Sequence, residues 1–398
     1  MIETIPIGQE EKIKRIPHLL KYMGSKREIL GFVTESISSL NVESEWLCDL
    51  FSGTGVVGGS LKDEYKVHAN DVQEYSSIMS NTYLLNLKGQ LSIDCLEEIK
   101  TKVHKLIDDY YLRLQNLSFD YSQANSFIKL QRIEKEQQEL INQNFNIGFH
   151  LFTKYYSGTY WSYEQCIWID SIRAVAEQYK SKPQYYPILS SLIFAMSYVS
   201  QSTGHYAQYR DVTEDNMKDI LSYRNRELWP YFERKFIELI ESVNGKSNDF
   251  RVTTLDYMDC LRIIEEDSIV YADPPYQSVH YSRFYHAIET LVKYDYPTLK
   301  FKGRYREDRH QSPFCKKTTV NQAFASLFEG IALKKSHLAL SYSDTGMIGL
   351  DAILNISKES FKNYTTDILI KDHVHSKMGR SDERNQDVKE YIILFKRN

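Results

Sequence analysis

No run of eighteen apolar residues occurs in this chain, so no membrane-spanning helix is expected. The amino-terminal "MIETIPIGQEEKIKRI" lacks the apolar centre of a secretory leader. Cysteine is sparse: Cys48, Cys95, Cys166, Cys260 and Cys315 are scattered, odd in number and never in a C-x-x-C pair. That pattern argues against a disulfide scaffold or a zinc finger. No metal is expected, and a reduced, cytoplasmic setting fits. A charge excess is missing as well. With a formal charge of −4, the chain is no uniformly basic nucleic-acid coat, although a local basic groove stays compatible. Internal repeats and low-complexity segments are absent.

What is present suits a globular protein of one large or two modest domains: 398 residues, 42% of them hydrophobic. Tyrosine is abundant, at 30 residues, more than a core needs, and such a surplus suits stacking surfaces. The run "WLCDLF" (46–51) reads as a strand entering the glycine-rich turn "SGTGVVGG". A helix and then a second strand, "YKVHAND", complete a β-loop-α-β start to a doubly wound sheet. From about residue 85 the period changes. Leu96, Ile99, Val103, Leu106, Ile107 and Leu114 recur at threes and fours, an amphipathic helix. Further helical patterns at 125–145 and 187–200 make 90–245 a mostly helical insertion. Strands return at "DFRVTTLDYMDCL", "DSIVYADPPY" and "SHLALSYSD". The last two, "TTDILIKD" and "EYIILFKRN", form an expected antiparallel pair flanking a polar loop at 371–388.

Four strand ends carry candidate chemistry. Gly53 and Gly55 let the backbone approach a ligand, ahead of free helical N–H groups; a tight αβ connection reads the same way. Asp71 ends the next strand, where a carboxylate can accept from both hydroxyls of a ribose, or merely close a turn. Asp256, followed by Tyr257, is either an acceptor for an adenine amine or a helix N-cap. "DPPY" (273–276) is the most specific. Two prolines stop a sheet ladder abruptly and leave a carboxylate and a ring at the strand's carboxyl end. An exocyclic amine on a heteroaromatic ring is a poor nucleophile, because its lone pair is drawn into the ring. Acceptors at Asp273 and the Pro274 carbonyl, the latter freed by Pro275, can draw that nitrogen toward sp³. Tyr276 can stack on the ring, an interaction worth roughly 1–3 kcal/mol per base. Such catalysis is positioning and electrostatics.

With these motifs in this order, the chain resembles the α-class, Dam-like, S-adenosylmethionine-dependent DNA adenine-N6 methyltransferases. "KYMGSK" (21–26) resembles the motif contacting the methionine part of the cofactor, which implicates Tyr22, Met23, Gly24 and Lys26. "DLFSGTG" (49–55) resembles the cofactor loop, implicating Asp49, Phe51, Ser52, Gly53, Thr54 and Gly55. Asp71 matches the ribose-binding acid, Asp256 and Tyr257 the adenine-binding pair, and Asp273, Pro274, Pro275 and Tyr276 the catalytic motif. "LSYSDT" (340–345) resembles a further family strand, with Tyr342 where Asn is usual. The resemblance implies an α/β, Rossmann-like methyltransferase fold: a doubly wound sheet with a C-terminal antiparallel strand pair and a helical target-recognition insertion. Residues 1–89 and 246–398 then form the catalytic, S-adenosylmethionine-binding domain, and 90–245 the recognition region.

The resemblance further implies double-stranded DNA as substrate, an extruded target base, and a monomer or weak dimer. It also implies either a restriction–modification role, with a cognate restriction endonuclease acting separately, or the marking of a phage or host genome, and the sequence does not choose between them. Residues 293–317 hold eight basic residues against three acidic, interleaved with aromatics. Lys302, Arg304, Arg306 and Arg309 there are candidates for gripping phosphates, the aromatics for filling the gap behind a flipped base. Tyr206 and Arg210 in "STGHYAQYRD", and Lys377 and Arg380 in the polar loop, are further DNA candidates. The segment 285–317 is longer than a minimal Dam-like enzyme needs. A dinucleotide oxidoreductase also accommodates G-T-G-V-V-G at 53–58, but leaves "DPPY" without a purpose. A cytosine-C5 enzyme needs a nucleophilic cysteine after proline, and none of the five follows one. Methylation of RNA adenine or of cytosine N4, the latter usually with Ser in place of Asp273, remains open, as does a non-catalytic DNA-binding protein.

Overall fold

The computed structural model describes residues 16–22, 25–114, 117–202, 205–242, 248–376 and 385–398. Its centre is a sheet of seven strands. In chain order they are β1 (Trp46–Asp49), β2 (Lys66–Asn70), β3 (Phe250–Thr253), β4 (Ile269–Ala272), then a two-stranded hairpin of β5 (Leu299–Lys300) and β6 (Tyr305–Arg306), then β7 (His337–Ser343), β8 (Tyr364–Ser376) and β9 (Asn385–Arg397). The spatial order is β3-β2-β1-β4-β7-β9-β8. The first five run parallel, and β9 is antiparallel to both β7 and β8. The polar loop expected at 371–388 is shorter than its composition suggests. β8 continues to Ser376 and β9 begins at Asn385, because each residue in those extensions has a register partner across the hairpin.

Side chains alternate across the sheet with the strand period of two. Leu47, Ile269, Tyr271, Ala339, Ile392 and Leu394 pack on one face with the helix Leu30–Ser39 and the helix Val56–Leu61. Cys48, Val270, Ala272, Leu338, Leu340, Ile393 and Phe395 pack on the other, with the helix Tyr257–Ile263 and the helix Val320–Leu333. Burial on both faces explains why β4 and β7 read as near-continuous apolar runs.

Between β2 and β3 the described residues form eight α-helices. Their starts follow local chemistry: Ser92 caps Ile93–Arg113, and Ser162 with Gln165 forms a capping box at the start of Tyr163–Glu177. The helical core is not confined to 90–245. It also takes in Tyr75, Ile78, Met79 and Tyr83 from the helix Glu74–Leu84, and Tyr285, Ile288 and Leu291 from beyond the catalytic motif. The extra length at 285–317 is thereby accounted for in part: the helix His286–Lys293 is packing material. Among the described residues no helix is long and apolar enough to cross a membrane.

Candidate active site

In the strand order, connections leave β1 toward β2 on one side, while β4 lies on the other. Such a reversal opens a crevice at the carboxyl ends of the strands, where open α/β sheets hold ligands. One cleft lies there. It is lined by residues following β1 (Phe51–Thr54), β2 (Asp71–Gln73), β3 (Leu255–Tyr257) and β4 (Asp273–Tyr276), together with Tyr22 and Lys26. The four sequence-predicted strand ends are therefore brought together.

The glycine turn is built by backbone geometry. Gly53 has φ +52° and Gly55 φ +73°, and a Cβ on Gly55 would lie 2.9 Å from the Ser80 Cα. Asp71 stabilises this turn directly: one carboxylate oxygen accepts from the Gly53 N–H at 2.9 Å, the other from the Gln73 N–H at 2.9 Å. Each oxygen keeps lone-pair capacity toward the cleft. Burial raises the Asp71 pKa above the usual carboxylate range, against these hydrogen bonds. Asp49 lies beneath the turn and accepts from the Gly58 N–H at 3.0 Å. Burial, with the charges of Asp273 and Asp71 outweighing the Gly58 bond, pushes its pKa up to about 7. Asp256 is both a helix cap, accepting from the Met258 N–H at 3.0 Å, and part of the cleft wall. Phe51 and Tyr257 stack at 5.9 Å, forming an aromatic wall beside it.

At the β4 end, the Lys26 ammonium lies 3.2 Å from Asp273 Oδ1 and 3.4 Å from Glu390 Oε2. Glu390 stands opposite Ser343 in the β7–β9 register, which places it at the same edge of the sheet. Its other oxygen accepts from the Tyr276 hydroxyl at 3.4 Å. Burial disfavours the Lys26 charge, but the two carboxylates outweigh it and hold the amine protonated. Burial also pushes Asp273 up to about 6, with Lys26 pulling down and Glu390 pushing up. Tyr276 is buried, with the Lys26 ammonium 5.5 Å over its ring and Tyr342 edge-on at 5.8 Å. Tyr342 accepts from the Ile348 N–H at 3.3 Å, and Met347 N–H donates to the Tyr276 carbonyl at 2.9 Å. The loop after β7 thus fastens the Asp273–Tyr276 turn.

Several of these residues escaped sequence reasoning. Glu390 was visible only as one acid at the head of an apolar strand. Asn70 was noted as a strand end, yet it ties three strands. Its amide donates to the Leu50 and Leu255 carbonyls at 3.2 and 3.1 Å, and its oxygen accepts from the Thr253 hydroxyl at 2.8 Å. Tyr281, stacked on Tyr22 at 5.3 Å, and His310 line the cleft without any motif to mark them.

The residues singled out for DNA are placed unevenly. Tyr206 is buried in the helical core, so its ring is withdrawn from any DNA surface. Arg306 is also buried and held by Asp295 through two bonds of 2.7 Å and by Asp308 at 2.9 Å. Its charge is spent inside the hairpin rather than displayed to phosphates. Arg304 donates to the Tyr155 carbonyl at 3.1 Å, and Arg309 lines a second, adjoining cavity with His286. Arg210 pairs with Asp219 and Lys302 with Asp211. Met23, Gly24, Lys377 and Arg380 lie outside the described residues.

A family model described as D12 class N6 adenine-specific DNA methyltransferase matches residues 22–344. The chain is 25% identical over 389 residues to Modification methylase LlaI of Lactococcus lactis subsp. lactis, covering 95% of this chain and 55% of that one. It is 23% identical to Modification methylase StsI of Streptococcus sanguinis, covering 95% and 52%. With Type II methyltransferase M.NlaIII of Neisseria lactamica the identity is 24%, covering 92% and 95%. The chain spans about half the length of the first two.

Proposed function

The chain belongs to the D12 class N6 adenine-specific DNA methyltransferase family, and on that premise we propose that it methylates N6 of adenine in duplex DNA, using S-adenosylmethionine. The observation that carries this reading is the convergence of the glycine turn, Asp71, Asp256 and Asp273–Tyr276 on one cleft. The residues suit the cofactor. Gly53 offers close backbone approach, Asp71 spare lone pairs for ribose hydroxyls, and Asp256 with the Phe51–Tyr257 wall an adenine edge and face. S-adenosylmethionine supplies an electrophilic methyl group on a sulfonium.

The chain's own residues then prepare the acceptor. Tyr276 fixes the plane of the target ring. Asp273 and the Pro274 carbonyl accept from its N–H groups, turning the nitrogen lone pair away from the ring. As positive charge develops on that nitrogen, it faces the Asp273 carboxylate, already oriented by Lys26. Asp at 273, where cytosine-N4 enzymes usually carry Ser, favours adenine.

An adenine inside a duplex cannot reach this cleft, so the reading includes base flipping, at a cost of a few kcal/mol. The β5–β6 hairpin suits that step. Its tip residue Phe301 is 78% exposed. The hairpin is braced on the 205–211 segment, with Tyr305 donating to the Ala207 carbonyl and Lys302 paired with Asp211. An exposed ring on a braced hairpin can fill the gap an extruded base leaves. The helical region 90–245 supplies target recognition in this scheme. A restriction–modification role is supported by the likeness to two modification methylases.

Single-molecule sequencing of DNA from cells expressing the chain tests this directly. N6-methyladenine at one short motif, absent with Asp273→Ala, is expected. Modified cytosine, or an unmodified genome, overturns the reading.

A further inference from the structure

Behind the cofactor cleft, three residues with metal-binding side chains meet. Cys48 and His68 are direct register partners on the parallel strands β1 and β2, so their side chains leave the same face of the sheet. Cys260, on the helix Tyr257–Ile263, packs over that face. The two sulfurs and a ring nitrogen all lie within 4.8 Å of one another, and all three residues are buried. The Cys260 Sγ is 3.9 Å from His68 Nε2. Tetrahedral zinc with ordinary Zn–S and Zn–N bonds places sulfur and nitrogen ligands about 3.6 Å apart. The Cys260–His68 pair therefore needs a contraction of only a few tenths of an ångström, and no pair in the cluster more than about 1 Å.

We propose that Cys48, His68 and Cys260 form a structural zinc site that ties β1, β2 and the helix after β3 together beneath the cofactor cleft. A fourth, neutral donor is in place. The Thr253 hydroxyl lies 2.9 Å from His68 Nε2 and gives its proton to Asn70 Oδ1 at 2.8 Å, so its lone pairs are turned toward the cluster. Charge selects the ion. Two thiolates and Zn²⁺ are neutral together, whereas a monovalent soft cation leaves a net negative charge in an apolar core. Binding takes both sulfurs as thiolates and uses the Nε2 lone pair of His68, which places that ring's proton on Nδ1.

The ligands flank the residues that build the cleft. Cys48 precedes Asp49, His68 lies two residues before Asn70, and Cys260 is one helical turn from Asp256. Zinc here thus holds three strand-end segments in register without touching cofactor or DNA.

Metal analysis of the purified full chain tests the site. About one zinc per chain is expected, in keeping with a closed structural site. After chelation, titration with Cd²⁺ alone should give a thiolate-to-cadmium charge-transfer band that saturates at one equivalent and raises the melting temperature. Cys48→Ser, Cys260→Ser and His68→Gln should each weaken metal binding by about tenfold or more. Cys166→Ser, at an equally buried thiol elsewhere, should leave it unchanged. Should the ligand variants fail to fold, the wild-type titration still decides. Absence of both zinc and the cadmium band in the wild-type chain overturns the proposal, as does recovery of a Cys48–Cys260 disulfide in its place.

Discussion

The Lys26 ammonium stands 3.2 Å from the Asp273 carboxylate, so an amino-terminal side chain offsets part of what burial does to the charge of the residue after β4. Lys26 is shared with Glu390, and the group of three carries one net negative charge when all are ionised. Its members, residues 26, 273 and 390, are far apart in the chain.

That relationship predicts a pH dependence. In the proposed mechanism the Asp273 carboxylate accepts from the target amine, and burial pushes its pKa up to about 6, so the rate should fall as pH drops through about 6. Removing the cation in Lys26→Met should move this acid limb to higher pH. For stability the sign is opposite. A raised carboxyl pKa contributes stability that is complete below its ordinary value of 3.8 and lost as pH rises through about 6. Asp273→Asn should therefore melt higher than wild type above pH 6, converge with it below pH 4, and lose about 10²–10³-fold in rate. An unmoved acid limb in Lys26→Met would count against the pairing.

Asp71 has two tasks, and the variants separate them. Asp71→Ala deprives the Gly53 and Gln73 N–H groups of their acceptor, so both folding and cofactor binding should suffer. Asp71→Asn keeps one acceptor oxygen. It should stay folded and bind cofactor about ten- to a hundredfold more weakly by calorimetry, since one charged hydrogen bond is worth about 1.5–3 kcal/mol. Unchanged affinity in Asp71→Asn would remove the ribose role.

Phe301→Ala should leave the melting temperature intact, because the ring is solvent-exposed. Its rate on duplex DNA should fall, and the loss should shrink on a substrate whose target adenine is mismatched, since extrusion is then cheaper. Equal losses on both substrates would exclude a gap-filling role.

Arg306→Ala should lower stability, as Asp295 and Asp308 are left with no shared cation. The slope of DNA affinity against salt should stay as in wild type. A slope smaller by about one would mean that Arg306 does meet a phosphate.

Tyr342→Phe removes the acceptor for the Ile348 N–H and should cost about 1 kcal/mol. Tyr342→Asn, the residue usual in the family, should cost more, about 2–4 kcal/mol, because the ring packs against Phe324 and Tyr276. Chemical denaturation checks both. Gly346 belongs to the same arrangement: a Cβ there would fall 2.3 Å from the Tyr342 ring.

The glycine turn at 53–55 and the tetrapeptide at 273–276 were legible because each rests on local rules. Positive-φ glycines, a proline-stopped strand and acids at strand ends declare themselves within a few residues. Arg306 and Tyr206 were misplaced for a physical reason. A basic or aromatic residue looks the same in sequence whether it faces water, a phosphate or a buried acid. For Arg306, only the fold of the hairpin brings Asp295 and Asp308 against it.

By itself, the sequence determined which side chains end β1, β2, β3 and β4, because apolar runs and turn residues specify strands locally. The tertiary structure alone decided what those side chains face. The reversal of strand order carries Lys26, Asp273 and Glu390 to one edge of the sheet. The β1–β2 register sets Cys48 beside His68, though nothing in their spacing joins them. Parallel pairing couples residues through long connections, and no periodicity along the chain encodes that register.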